Sequence, residues 1–171
     1  DCSCGIGTQC VHFGVADFRS LDIDVDGTFD VVLSADNAIP HLLSDQDLQR
    51  TCSNFFRKLE PNGLLIITIR DYDERLQEKP KATTPRIMDS GKRIVFQVWD
   101  WQNDGRNYVT NHFIMRDVNG KWLTNVNKTM YRALQRSELS SFLTSAGFSD
   151  ITWLMPEQSS YYQPVVIARK R

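Results

Sequence analysis

No apolar run in this chain approaches the ~20 residues that a membrane-spanning helix requires. Excess charge of either sign is missing too: 20 Lys+Arg stand against 21 Asp+Glu, a formal net charge of -1. A nucleic-acid binder would show a basic stripe, so neither nucleic acid nor membrane is an expected partner. Cysteine is scarce, with Cys2, Cys4, Cys10 and Cys52 only. Cys2 and Cys4 are too close for an ordinary bridge. With His12 the spacing C-x-C-x5-C-x-H fits no common zinc pattern, so no metal is expected. The four read as small, buried, reduced thiols of a cytoplasmic protein. No signal-peptide pattern is visible. Ser-His-Asp and Cys-His patterns are absent, and no residue is assigned as a covalent catalyst. There are no repeats and no low-complexity linker, which leaves one domain over residues 1–171, long enough to bury a real core.

What is present begins with "DCSCGIGTQC". Gly5 and Gly7 allow a tight turn and close approach to a ligand. A dinucleotide loop wants G-x-G-x-x-G, and here Cys10 takes the third glycine's place. A ligand loop and a plain structural turn both remain open for these residues.

Downstream, the pattern is α/β. Val11–Asp17 reads as a strand ending in an acid. Phe29–Asn37 reads as a second strand, apolar on both faces as a buried parallel strand should be. Ser44 caps a helix with Asp45 and Asp47 in its first turn, where the helix dipole favours negative charge. Leu48, Cys52, Phe55, Phe56 and Leu59 recur at helical spacing, and "PNG" stops the helix. Leu64–Ile69 is a third buried strand, completing a βαβ unit. After Pro85 the chain turns β-branched and aromatic. "RIVFQVWDW", "NYVTNHFIMRD" and "KWLTNVNKTMYRA" are separated by Asp104-Gly105 and Asn119-Gly120, strong hairpin signals. They predict an inserted three-stranded antiparallel sheet over about residues 86–133. Trp99 and Trp101 share one side of an ideal strand. The insert is open as a lid over the site, as the face of a homodimer, or as ordinary core packing. Ser137 then caps a helix with a Leu139, Phe142, Leu143, Ala146 stripe that Gly147 ends, and "DITWLM" and "PVVIARK" close the fold.

The series "DCSCGIGTQ", "VADFRSL", "FDVVLSADNAIPHLLSD" and "LEPNGLLIITIRDYD" resembles, in order, the motifs of class I S-adenosylmethionine-dependent methyltransferases. The final "SAGFSDITWL" extends the resemblance over nearly the whole chain. Asn37 followed by His41 in "DNAIPHL", and Arg70 in "RDYD", make it most similar to the glycine and sarcosine N-methyltransferases. The resemblance implies a Rossmann-like doubly wound α/β sheet and S-adenosyl-L-methionine as cofactor. It implies that Asp1, Gly5 and Gly7 support the methionine and ribose parts, and that Asp17 accepts from the adenine amino group with Phe18 beside the ring. Asn37 and His41 would stand near the sulfonium, and Arg70 would clasp an amino-acid carboxylate. Asn37 and Tyr131 join Arg70 as substrate-binding candidates. Each residue also has a plainer role open to it. Asp17 could cap the next segment, His41 could satisfy a loop carbonyl, and Arg70 could pair with Asp71 or Asp73. Tyr131, Tyr161 and Tyr162 could simply pack.

Spacing raises one difficulty. Seven residues separate Gln9 from Asp17, where the resembling fold has a helix, a strand and a helix. No residue can serve as the acid that holds the ribose hydroxyls. The expectation is a missing segment between Cys10 and Val11, and another before Asp1.

The activity implied is methyl transfer to a small-molecule acceptor, an amine nitrogen of a carboxylate-bearing amino acid such as glycine or sarcosine. A different small acceptor, a non-catalytic S-adenosylmethionine-binding regulatory domain, and a nicotinamide-dependent oxidoreductase are the rival readings. The missing third glycine and the antiparallel insert count against the last.

Overall fold

The computed structural model of the protein describes residues 11–171. Asp1, Gly5, Gly7, Cys2, Cys4 and the Cys10–Val11 junction lie outside the described residues.

Val11–Asp17 forms no strand. Phe13 and Val15 are 96% and 100% exposed, and among the described residues no neighbouring strand completes a ladder with this segment. A 3-10 turn (Phe18–Ser20) and a one-turn helix α1 (Leu21–Asp24) lead into β1 (Phe29–Ser34). Then come α2 (Asp45–Lys58), β2 (Leu59–Thr68) and α3 (Tyr72–Glu78). β1 and β2 run parallel around α2, as the βαβ reading requires. Ser44 caps α2, accepting from the Asp47 amide. The helix ends at Lys58, before "PNG", which instead lies inside the irregular start of β2. Gly63 is needed there: a Cβ would meet the Glu60 carbonyl oxygen at 2.8 Å.

Next come β3 (Arg86–Met88), β4 (Arg93–Trp101), β5 (Asn107–Val118) and β6 (Lys121–Arg132). The chain closes with α4 (Arg136–Ser145), β7 (Ser149–Leu154), the short α5 (Pro156–Ser159) and β8 (Val165–Arg169). The strands form two sheets, β1-β2-β8-β7 and β3-β4-β5-β6. The second has four antiparallel strands where the sequence indicates three, because Arg86–Met88 adds a short edge strand against Arg93–Val95. Both predicted hairpins form. Asn119 and Gly120 take positive φ of 55° and 79° in a two-residue turn. The Asp104 carboxylate accepts from the amides of Arg106 and Asn107.

The core lies between the first sheet and α2 and α4. Leu48, Cys52 and Phe55 from α2 and Leu139 and Leu143 from α4 meet Leu65 and Ile67 of β2 and Val166 and Ala168 of β8. β1 is not buried on both faces as expected. Leu33 is 63% exposed and Val31 half exposed, because among the described residues only one face of β1 is covered. The α4 cap also shifts: Gln135 is the N-cap and Ser137 lies within the helix. Gly147 ends α4 at φ +103°, with the Phe56 ring 3.2 Å from where its Cβ would stand.

Candidate functional site

The site gathers where β2 ends. Beyond the parallel pair, Asp36 and Asn37 take left-handed φ of 58° and 64°. Thr68 holds that bend: its hydroxyl accepts from the Asp36 amide at 2.8 Å, and its carbonyl from the Asn37 amide at 3.1 Å. Asn and Asp tolerate such backbone best among residues with a Cβ. The bend turns the buried Asn37 side chain back onto the next segment. Its Oδ1 accepts from the Arg70 amide at 3.0 Å, and its Nδ2 donates to the Tyr72 hydroxyl at 3.0 Å. Asn37 thus fastens two strand ends together, a role its motif position did not announce.

Arg70 projects from the carboxyl end of β2 toward the antiparallel sheet. It donates to the Tyr108 hydroxyl at 3.0 Å and to Oε1 of Gln97 at 3.3 Å. Its guanidinium lies 5.1 Å from the centre of the Trp99 ring and 5.3 Å from that of Tyr131. The Tyr72 and Tyr108 hydroxyls are bonded to each other at 2.8 Å. The acids that could have paired with Arg70 are engaged elsewhere. Arg136 takes Asp71 at 2.9 Å and Asp73 at 3.1 Å. Asp71 also caps α3, accepting from the Glu74 amide. Among the described residues Arg70 therefore has no ion pair, although it is largely buried. Burial opposes its charge, yet the tyrosines around it outweigh burial and raise its pKa. A guanidinium so placed presents a rigid fork to a planar anion.

His41 ends a 3-10 turn (Ile39–His41) and packs against Tyr131 with its ring tilted, ring centres 4.2 Å apart at 42°. Partial burial and the positive Arg70 hold its pKa below the usual histidine value, so the neutral imidazole is favoured near pH 7. Tyr131 thus lies against both His41 and Arg70, and burial raises its own pKa. Trp99 is buried, stacked on Tyr108 at 4.7 Å, and forms the site wall as well as core. Tyr161 and Tyr162 pack on each other, and the Tyr162 hydroxyl donates to the Asp36 carboxylate.

Two cavities open here. One, of about 570 Å³, is lined by Arg70, Trp99, Thr83, Met155, Tyr162 and Gln163 among others. The other, of about 800 Å³, is lined by Asp17, Phe18, Ala38, His41, Leu42 and Asp47 among others. Asp17 caps the Phe18–Ser20 turn through the Arg19 amide at 2.8 Å, and pairs with the Arg19 guanidinium at 2.6 Å. That pairing holds its carboxyl well below the usual carboxylate range. Phe18 packs edge-on against Phe55 at 5.4 Å. Capping by Asp17, one of the two roles open to it, is therefore realised, while its carboxylate still borders the cavity.

Tyr108, Gln97 and Arg136 were not foreseen. Tyr108 and Gln97 look like ordinary strand residues, and only the tertiary approach of the antiparallel sheet brings them to Arg70. Tyr72 stands inside the quoted "RDYD", so its position carried the signal. No cluster of three or more His, Cys, Asp or Glu side chains among the described residues could hold a metal ion.

No family model matches the chain. Glycine/sarcosine N-methyltransferase of Halorhodospira halochloris is 28% identical over 113 residues, covering 58% of this chain and 41% of that protein. Glycine/sarcosine N-methyltransferase of Aphanothece halophytica is 28% identical over 150 residues, covering 86% and 52%. The chain thus spans about half the length of the curated relatives it matches. An S-adenosylmethionine-dependent methyltransferase from Clostridium acetobutylicum superposes with a TM-score of 0.70 at 11% identity, over 90% of this chain and 62% of that one. An amino pentose methyltransferase from Micromonospora echinaspora, solved with S-adenosylmethionine bound, gives 0.67 at 15%, over 91% and 63%. These likenesses bear out both the fold class and the resemblance read from the motifs: the fold is the Rossmann-like α/β fold of the class I methyltransferases.

Proposed function

We propose that the protein is an S-adenosylmethionine-dependent N-methyltransferase whose acceptor is a small amine bearing a carboxylate. Glycine and sarcosine are the first acceptors to test, in keeping with the names of its relatives. One observation carries the reading: Arg70 is a largely buried guanidinium with no ion pair among the described residues, at the carboxyl end of a parallel strand and at the edge of a cavity whose adjoining acid, Asp71, is paired with Arg136. Ligands of open α/β sheets bind at that end. A carboxylate there would supply the charge that Asp71 and Asp73 give to Arg136 instead.

The residues present fit the cofactor. The cavity beside His41 has the size of an ordinary ligand site and combines apolar Leu42 and Ala38 with the carboxylates of Asp17 and Asp47. Asp17 would accept from the adenine amino group, with Phe18 at the ring. Asn37 would keep the strand ends in register, and His41 would face the reacting centre. Asp1, Gly5 and Gly7 complete the proposed cofactor set. When bound, S-adenosylmethionine supplies an electrophilic methyl group on a sulfonium.

The chain's own residues then orient and dehydrate. Arg70 fixes the acceptor carboxylate in two parallel bonds, and the Trp99 and Tyr131 rings wall the site. Held this way, the amine lone pair can face the methyl carbon opposite the leaving sulfur. The amine must be neutral to attack, and proton loss before binding suffices; no residue is given the role of base. The antiparallel sheet over about residues 86–133 is, on this reading, an insertion that covers the acceptor side of one methyltransferase domain. A reducing, cytoplasmic setting suits Cys52, which is buried and unbridged. No helix of the described residues is long and apolar enough to cross a membrane.

Calorimetry and a methyl-transfer assay test the reading together. S-adenosylmethionine and S-adenosylhomocysteine should bind, NAD should not, and methyl groups should pass to carboxylate-bearing amines. Cofactor binding without transfer to any amine would leave the regulatory-domain alternative, and NAD binding alone would refute both.

A further inference from the structure

The antiparallel sheet has two faces of different character. Trp99, Tyr108 and Tyr131 lie on one and meet the site. The register of β4, β5 and β6 lays out the other face in rows: Asp100–Val109–Met130, Val98–Asn111–Lys128, Phe96–Phe113–Val126 and Ile94–Met115–Thr124. Phe96 and Phe113 stack with ring centres 4.8 Å apart and planes within 1°. Around this pair the face stays open to solvent. Trp122 is 46% exposed, Val126 41% and Met130 40%. The contacts of this sheet with the 3-10 turn at Ile39–His41 run through β6, where Tyr131 lies against His41 and Arg132, next along the strand and so on its opposite face, is buried against Asp45 and Glu138.

We propose that this face binds a second copy of the chain, sheet against sheet, about a two-fold axis parallel to the strands. Such an axis lays β4 of one copy over β6 of the other and β5 over β5. Phe96 then meets Val126 of the second copy, and the two Phe113 rings meet at the centre. The charges fall into complementary places. Asp100 on β4 and Lys128 on β6 stand one row apart, so each Asp100 comes within reach of Lys128 of the second copy, twice per dimer. Of the other charges at this parity, Asp117 lies at the far end of the rows, and Arg132, in the row beyond Asp100, is held by Asp45 and Glu138. The size is also sufficient. Strands of 9 and 12 residues, at ~3.4 Å per residue and ~4.8 Å between strands, give a face of roughly 500–600 Å² per copy. The total of about 1,000–1,200 Å² reaches the threshold for a specific interface. Packing at about 10 Å with nearly aligned strands is the ordinary geometry of two stacked sheets. The inference does not depend on the proposed reaction.

Sedimentation equilibrium of the purified chain tests it, with Asp100→Lys and Lys128→Glu as variants. Both side chains are exposed, so folding should be kept, and circular dichroism checks that. The wild type should dimerise, and each variant alone should dimerise at least tenfold more weakly. An equimolar mixture of the two should recover the dimer, because each new charge then meets its opposite. A wild type that stays monomeric overturns the proposal, including the case in which another molecule covers this face. So does a dimer indifferent to both substitutions, or a mixture that fails to recover.

Discussion

Tyr108 holds more than its position on an outer strand suggests. Its hydroxyl takes a proton bond from the Arg70 guanidinium and shares another with Tyr72, and Asn37 closes the ring from the other side. Removing that hydroxyl leaves a buried charge short of a partner. Tyr108→Phe should therefore cost about 1.5–3 kcal/mol in denaturant unfolding, the range for bonds to charged groups. A loss below 0.5 kcal/mol, read as roughly the scatter of surface substitutions, would mean the network is slack. His41 gives a second test. Its pKa is lowered by partial burial and by Arg70, so the unfolded chain binds a proton more readily than the folded one. The stability this group contributes is present above the unfolded value of 6.5 and is lost as pH falls through it toward the folded pKa. Followed by NMR, His41 should titrate below 6.5, and Arg70→Ala should move it upward. An unmoved titration would show that the two groups do not sense each other. Cys52, whose thiol burial pushes up to about 12, should resist alkylation in the folded protein and react only on unfolding; mass spectrometry of the Cys52 peptide reads this directly.

Among the elements, the turn signals and the helical stripes were legible because their causes are local. Asn119-Gly120 needs positive φ at both residues, and few other pairs accept it. Leu48, Cys52 and Phe55 recur at helical spacing because one face of α2 is buried. Burial of β1 was not legible, since "VVL" has the same letters whether one face is covered or two. Nor was Val11–Asp17, where a strand-like composition meets no partner. Arg132 shows the same limit. It ends an exposed edge strand, yet it is 2% exposed and tied to Asp45 at the start of α2 and to Glu138 in α4. It fastens the antiparallel sheet to both helices. Arg132→Ala should destabilise the fold by about 2–3 kcal/mol in denaturant unfolding. That is below the loss for a fully buried pair, because Asp45 stays solvated and Arg106 remains beside Glu138. A change within experimental scatter would assign the joint to apolar packing instead.

At the scale of the whole molecule, two sheets with separate hydrogen-bond ladders are joined through the Arg70 guanidinium, which starts from the end of the first sheet and ends among Gln97, Tyr108 and Trp99 of the second. The motif order in the sequence foretold the fold and drew attention to Arg70. It left the choice between a carboxylate clamp and a surface ion pair open, because Arg136 is 66 residues away from Arg70 along the chain and no local pattern links it to Asp71 and Asp73. The structure removes those acids from Arg70 and so supports the clamp. The most direct measurement is methyl transfer by wild type and Arg70→Ala to matched amine acceptors with and without a carboxylate. Cofactor affinity is followed in parallel. Losing one partner of a buried charge pair costs on the order of 2–5 kcal/mol. The clamp therefore predicts that Arg70→Ala lowers kcat/KM tens-fold to thousands-fold for the carboxylate-bearing acceptor alone, with Arg70→Lys recovering part of it and cofactor affinity unchanged. Equal treatment of the two acceptors by wild type and variant would contradict it.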